Sequence, residues 1–326
     1  MAEIVVESIE TYALSKKQRV KTLFSRIGII GCGKEGQTIA QIASWHGIEV
    51  VFIELSEEKI KFAIDSISKG LDTVIEGWGL TQGEKRAIMA RIKGSLDYVD
   101  LAECDFVIEA IRSDESTGER NILIRKEIFR KVEEVVSRDA IIATNATHVV
   151  ISELAAELEH RDRCASLHFF VTSAEARIIE VVRGLYTSDE VYEKVCTFVK
   201  LINRDVIPVA ESAGLVSVRL YVVLLNEACE TLMEGVATMS DIDKTIEIGL
   251  GMRFGPFRTA DIIGLNKVIK WMENLYDEFG ESKYKVSPII RRLVRAKRYG
   301  VQSGAGFYHY DGDGKIVSKE DFLGKY

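Results

Sequence analysis

Two periods of apolar residues divide the chain. Up to about residue 210, short runs rich in β-branched residues, "RIGIIG" (26–31), "EVVFIE" (49–54), "DFVIEAI" (105–111), "AIIATN" (140–145), "RCASLHFF" (163–170) and "RIIEVV" (177–182), alternate with stretches of helical spacing. Strand, helix, strand in succession predicts a parallel sheet covered on both faces. Beyond residue 210 the spacing is helical throughout: "GLVSVRLYVVLLNEACETLMEG" (214–235), "SDIDKTIEIGLG" (240–251), "PFRTADIIGLNKVIKWMENLYDEFG" (256–280) and "SPIIRRLVRAKRYG" (287–300). Ser240 and Asp241 serve as start signals and the trailing glycines as stop signals. The first of these helices is apolar around much of its circumference, which predicts burial on more than one side and a homodimer built on this half.

Composition narrows the classes. With 326 residues, 47 % of them apolar, the chain can bury a large core and is long enough for two domains. The net charge is −7 and the basic residues are scattered, so nothing offers the phosphate-neutralising stripe of a nucleic-acid binder. Cys32, Cys104, Cys164, Cys196 and Cys229 are an odd number without paired short spacings. That fits reduced core thiols in a cytoplasm better than a disulfide framework or a metal site. No run of 18 apolar residues suggests a membrane span, and the first 25 residues lack the apolar core of a signal peptide.

Gly31-Cys32-Gly33-Lys34-Glu35-Gly36 fits G-x-G-x-x-G directly after the first strand and at the opening of a helix. The first glycine allows the tight turn, the second lets backbone approach a pyrophosphate, and the third lets helix pack on strand. Free N–H groups at the helix start attract the anion. Glu54 ends the next strand, 23 residues beyond Gly31, where a carboxylate accepts hydrogen bonds from a ribose and repels a 2′-phosphate. Together these favour NAD over NADP and predict an α/β fold with an N-terminal Rossmann-like doubly wound sheet over residues 26–210. An all-helical C-terminal domain over 211–326 follows, and residues 1–25 form a leader. Glu35 is an irregularity, an acid beside the expected anion. Either Lys34 offsets its charge, or its side chain points away while only backbone meets the phosphates.

His168 closes the strand "CASLHFF", and sheets of this type bind ligands at the carboxyl ends of their strands. A histidine there can act as a general base if a partner holds its tautomer, and Glu180, twelve residues on, could do so from a neighbouring strand. A histidine beside aromatics is more often a satisfied core residue.

The segments "IGIIGCGKEGQTIAQIASWHG", "DFVIEA", "IIATNAT", "LHFF" with "EVVRG", "GLVSVRL", "GVATMSDID", "GLGMRFGPFRTADIIGL" and "GAGFYHY" resemble, in order and spacing, the 3-hydroxyacyl-CoA dehydrogenase family, including its short-chain 3-hydroxybutyryl-CoA members. The resemblance implies a dimeric, two-domain NAD enzyme that interconverts (S)-3-hydroxyacyl-CoA and 3-ketoacyl-CoA. It implies that His168 takes the 3-hydroxyl proton, that Glu180 pairs with it, and that Thr147 stands where the family has an active-site serine. Asn145 and Ala110 fall at family positions beside the cofactor. Basic residues of the helix after Glu54 would hold CoA, with Lys59, Lys61 and Lys69 as candidates.

The chain also departs from the family. Val171 and Thr172 replace an Asn-Pro pair after His-Phe-Phe, and Val218 replaces an asparagine before Arg-Leu. After Glu109-Ala110 come Ile111, Arg112 and Ser113, without the family's glutamate. The loop "SDESTGERNI" is about seven residues longer than the family pattern, and loops of this kind carry function. Nearby polar groups at Thr172, Ser173 and Ser217 could stand in for the lost amides. The departures leave two further readings open: a dehydrogenase of another 3-hydroxy or 3-amino substrate, and a dinucleotide-binding protein with little catalysis.

Overall fold

The computed structural model describes residues 24–77, 79–111, 121–147, 149–169 and 177–318. Eight strands form one sheet in the order β3-β2-β1-β4-β5-β6-β7-β8. The chain runs β1 (Arg26–Ile30), α1 (Lys34–Trp45), β2 (Glu49–Ile53), α2 (Glu57–Glu76), α3 (Gln82–Met89), β3 (Ile92–Ser95), β4 (Phe106–Glu109), α4 (Ile122–Val135), β5 (Ile141–Thr144) and α5 (Ile151–Ala155). It continues through β6 (Cys164–His168), β7 (Ile178–Arg183), α6 (Asp189–Leu201) and β8 (Asp205–Ala210). The strand order reverses between β1 and β4, and at such a switch point loops at the carboxyl ends splay apart to leave a crevice.

All neighbouring strands pair in parallel except β6 and β7. Only nine residues, 169–177, separate those two, too few for a parallel crossover of a dozen or more. The strictly parallel expectation therefore fails at this one pair. β3 and β8 were not legible as strands. β3 reads "IKGS", with two polar residues and a glycine, and β8, "DVIPVA", carries a proline that its edge position tolerates.

The sheet has a core on each face. One gathers Ile27, Ile29, Phe52 and Phe106 with α1, α2 and α6, and Phe24, Phe106 and Phe198 stack there with ring centroids 4.9 to 5.8 Å apart. The other gathers Ile30, Val51, Val107 and Ile142 with α4 and α5. Alternate strand residues serve opposite faces, which is why these strands read as continuous apolar runs.

The rest is mainly helical, α7 (Ser217–Met233), α8 (Met239–Lys244), α9 (Pro256–Ile263), α10 (Leu265–Phe279) and α11 (Pro288–Arg295) around a third core, but not all-helical as expected, since β9 (His309–Tyr310) and β10 (Ile316–Ser318) close it as a short antiparallel pair. The start signal of α8 is Thr238, whose hydroxyl accepts from the Asp241 N–H; Ser240 lies inside the first turn. The apolar stretch 256–280 breaks into α9 and α10 at Gly264, where φ is +103°. Two buried aspartates tie this half together. Asp243 accepts from the Phe257 and Arg258 N–H groups at the start of α9 and from the Tyr308 hydroxyl, at 2.8 to 3.0 Å. Asp261 accepts from Phe307 N–H, Tyr308 N–H and the Tyr310 hydroxyl, each at 2.9 Å. The "GAGFYHY" segment is thus a clasp on α9. No helix among the described residues is long and apolar enough to cross a membrane.

Candidate active site

His168 is the last residue of β6, and the antiparallel register places Glu180 directly opposite it. Residues facing each other across such a pair project to the same side of the sheet, so one residue of slip would send Glu180 to the other face. His168 Nδ1 lies 2.7 Å from Glu180 Oε2, and both side chains are buried. The carboxylate has further partners. Oε1 accepts from the Val216 and Ser217 N–H groups, at 3.0 and 2.9 Å, and Oε2 accepts from the Ser217 hydroxyl at 2.7 Å. These donors belong to the first residues of α7, so the acid also sits at a helix N-terminus, where negative charge is favoured. Burial opposes its ionisation, but the bonds from His168 and Ser217 prevail and hold its carboxyl below the ordinary value.

The glycine loop has the shape its sequence predicts. Gly31 has φ +87°, and a Cβ there would meet Ile111 and the Ala110 carbonyl at 3.1 to 3.2 Å. A Cβ on Gly36 would come within 2.2 Å of the Gly31 carbonyl oxygen, so helix and turn can approach only without one. Gly33 caps α1 with no side chain over the helix start, leaving its N–H groups open to an anion. Glu54 sits at the end of β2; Oε1 accepts from the Cys32 N–H at 2.7 Å and Oε2 from the Leu55 N–H at 3.1 Å. A bare helix start, two glycines that exclude side chains and an acid at the next strand end suit a dinucleotide: phosphates on α1, ribose on Glu54.

The Glu35 side chain turns into the cleft. It pairs with Lys267 at the start of α10, and its Oε2 accepts from Asn145 Nδ2 at 2.7 Å. Asn145 Oδ1 accepts in turn from the Phe169 N–H at 2.9 Å, immediately after His168. Lys267 thus offsets the charge beside the loop. Below the loop, Glu109 is buried in an ion pair with Arg125 of α4, and it accepts from Thr144 Oγ1 at 2.6 Å and the Ile111 N–H at 2.7 Å. Ala110 is buried beside Gly31.

Thr147 is buried just beyond β5, and its carbonyl accepts from the Gly214 N–H at 2.8 Å, joining sheet to helical half. It lines a small, partly open pocket with Ala213, Val218, Trp271, Asn274 and Leu275. Val218 places methyl groups there in the position of the family's amide. α10 contributes Lys267, Trp271 and Asn274 to the cleft, at i, i+4 and i+7 of one face. Sequence reasoning missed these residues; polar side chains interrupting the apolar face of α10 were the available signal. Lys59, Lys61 and Lys69 lie exposed along α2 and are not brought into this constellation. Val171, Thr172, Ser173, Arg112, Ser113, most of the "SDESTGERNI" loop and residues 1–23 of the leader lie outside the described residues.

Comparisons with known proteins give the family and the fold. Residues 26–212 match the family model of the 3-hydroxyacyl-CoA dehydrogenase NAD binding domain, and residues 214–310 match that of the C-terminal domain. A probable 3-hydroxybutyryl-CoA dehydrogenase of Deinococcus radiodurans is 32 % identical over 285 residues, covering 87 % of this chain and 100 % of the relative. The crystal structure of the (S)-3-hydroxybutyryl-CoA dehydrogenase of Ralstonia eutropha superimposes with a TM-score of 0.78 at 33 % identity, covering 88 % of this chain and 99 % of the other. A diketoreductase acting on dicarbonyl compounds superimposes with a TM-score of 0.74 at 28 % identity, covering 89 % and 100 % of the two chains.

Proposed function

The chain belongs to the 3-hydroxyacyl-CoA dehydrogenase family and is an NAD-dependent dehydrogenase, and from that premise we propose that it interconverts short-chain (S)-3-hydroxyacyl-CoA and 3-ketoacyl-CoA with His168 as general base. The observation that carries the reading is the His168–Glu180 pair at the mouth of the sheet. With Nδ1–H donating to Glu180, the tautomer makes Nε2 the basic nitrogen. His168 takes the proton of the 3-hydroxyl, and the fixed carboxylate stabilises the imidazolium. Thr147 holds the substrate oxygen, and the Ala213, Val218, Trp271 and Leu275 cavity receives apolar substrate. When bound, NAD would supply the acceptor for the hydride that leaves C3 of the substrate. The residues that would hold it are Gly31, Gly33, Lys34 and Gly36 at the start of α1, with Glu54, Ala110 and Asn145.

Lys59, Lys61 and Lys69 are the proposed contacts of the CoA phosphates. A homodimer built on the helical half is supported by the exposure of Leu220, Val236, Ile248 and Leu250, each at least 69 % accessible. Five free cysteines suit a reducing cytoplasm.

A second reading has one specific support. Val218 removes an amide from the cavity beside Thr147, and the diketoreductase of the same fold is described as acting on dicarbonyl compounds, so a different 3-hydroxy or 3-keto substrate fits the altered pocket. Acetoacetyl-CoA-dependent oxidation of NADH separates the two. Turnover that falls with His168→Ala supports the first reading; no turnover, or turnover undiminished in that variant, overturns it.

A further inference from the structure

Glu35 is an acid on the first turn of a helix whose N-terminus should receive the cofactor's phosphates, a position where negative charge opposes binding. Its partners come from three other parts of the fold. Lys267 reaches it from α10, Asn145 from the end of β5, and through Asn145 it is linked to the backbone that follows His168. The Asn145 side chain is buried, and its amide is spanned end to end: Nδ2 donates to Glu35 and Oδ1 accepts from the Phe169 N–H. Only one amide group therefore separates the Glu35 carboxylate from the main chain beside the proposed base.

We propose that Lys267 and Glu35 are a positioning pair that aligns the His168 end of β6 through Asn145 and sets a second carboxylate in view of the imidazole. This rests on the reading of His168 as base. The pair also cancels the charge of Glu35 toward an incoming anion, so the acid serves the histidine without barring the dinucleotide. Lys267 further lies over the Trp271 ring, 5.2 Å from its centroid, which fixes the ammonium on the cleft side of α10. Burial opposes ionisation of Glu35, but Lys267, His168 and Arg125 outweigh it and hold its carboxyl below the ordinary value. Glu180 from β7 is bonded to the imidazole, Glu35 from α1 is joined through Asn145 to the residue that follows His168, and the charges acting on Glu35 are Lys267, His168 and Arg125.

The Lys267 side chain is 44 % accessible and Glu35 is half-buried, so water screens the pair and its contribution to stability is small. Its role is therefore separable from folding. The test is an NMR titration of the His168 imidazole in the full-length protein, assigned by difference from His168→Gln. Glu35→Gln removes the anion and should move the midpoint down; Lys267→Met leaves the anion uncompensated and should move it up; Lys267→Arg should restore it. Glu35→Gln should also lower kcat/KM on the order of tenfold through misalignment, with KM nearly unchanged. Midpoints that stay put in both variants, or move in the same direction, overturn the proposal. A wild-type protein without acyl-CoA turnover would sink the proposed function yet leave the titration decisive for the pair, while normal turnover with unmoved midpoints would remove the pair alone.

Discussion

His168 and Glu180 face each other across the antiparallel β6–β7 pair, with Nδ1 of the histidine 2.7 Å from Oε2 of the glutamate. Replacing a general base removes roughly 10² to 10⁴ of rate, so His168→Ala should lose that much kcat while NADH binding is unchanged. Glu180→Gln should fall in the same range, because the tautomer and the imidazolium both lose their support. Steady-state kinetics beside NADH fluorescence titration checks both; a variant that loses NADH binding together with rate would point to misfolding instead.

Ser217 holds Glu180 with both its hydroxyl and its N–H. Ser217→Ala keeps the backbone bond and loses the other. A hydrogen bond to a charged group contributes about 1.5–3 kcal/mol, so kcat/KM should drop by roughly one to two orders of magnitude. The effect should appear mainly in kcat, since Ser217 acts through Glu180 rather than on substrate.

Glu54 should govern the choice of cofactor. Glu54→Ala removes the ribose acceptor and should raise the dissociation constant of NADH by about tenfold or more while relaxing discrimination against NADPH. Isothermal titration with both cofactors measures the ratio, and an unaltered ratio would move the ribose contact elsewhere.

Arg125 and Glu109 are 2 % and 1 % accessible, so neither charge can find water if the other is lost. Arg125→Met should destabilise the protein by about 3–5 kcal/mol, read by chemical denaturation. A loss below about 1 kcal/mol would mean that the carboxyl is neutral once its partner is gone.

Burial raises the carboxyls of Asp243 and Asp261 to about 6 despite the hydrogen bonds they accept. A raised carboxyl adds stability below its unfolded value, near 4, and loses it as pH rises through the folded value. The melting temperature should therefore climb as pH falls from 7.5 to 5. Glu35 and Glu180 act in the opposite sense, being lowered, and their contribution is lost only further into acid. A melting temperature flat across that window would show that the Tyr308 and Tyr310 clasps keep both aspartates ionised.

Much of this protein was legible in its sequence because the signals are local. The continuous apolar runs of β1, β2, β4 and β5 announce strands buried on both faces, and Gly31 and Gly36 stand where no side chain fits. Glu54 at a strand end completes the proposed cofactor site, which depends on residues close in sequence. Weakly patterned edges escaped, as β3 and β8 show, because their stability comes from neighbours rather than from their own composition.

The arrangement around His168 was decided only by the tertiary structure. The twelve-residue spacing of His168 and Glu180 suggested a pair, but its geometry follows from an antiparallel register set by a connection too short for a parallel crossover. The donors at the start of α7 and the Lys267 ion pair come from segments 36 to 232 residues away from the acids they hold. No sequence period encodes such distances. A charge is steadied by whatever donors the packed halves bring within about 3 Å of it, and that proximity exists only once the sheet and the helices have closed on each other.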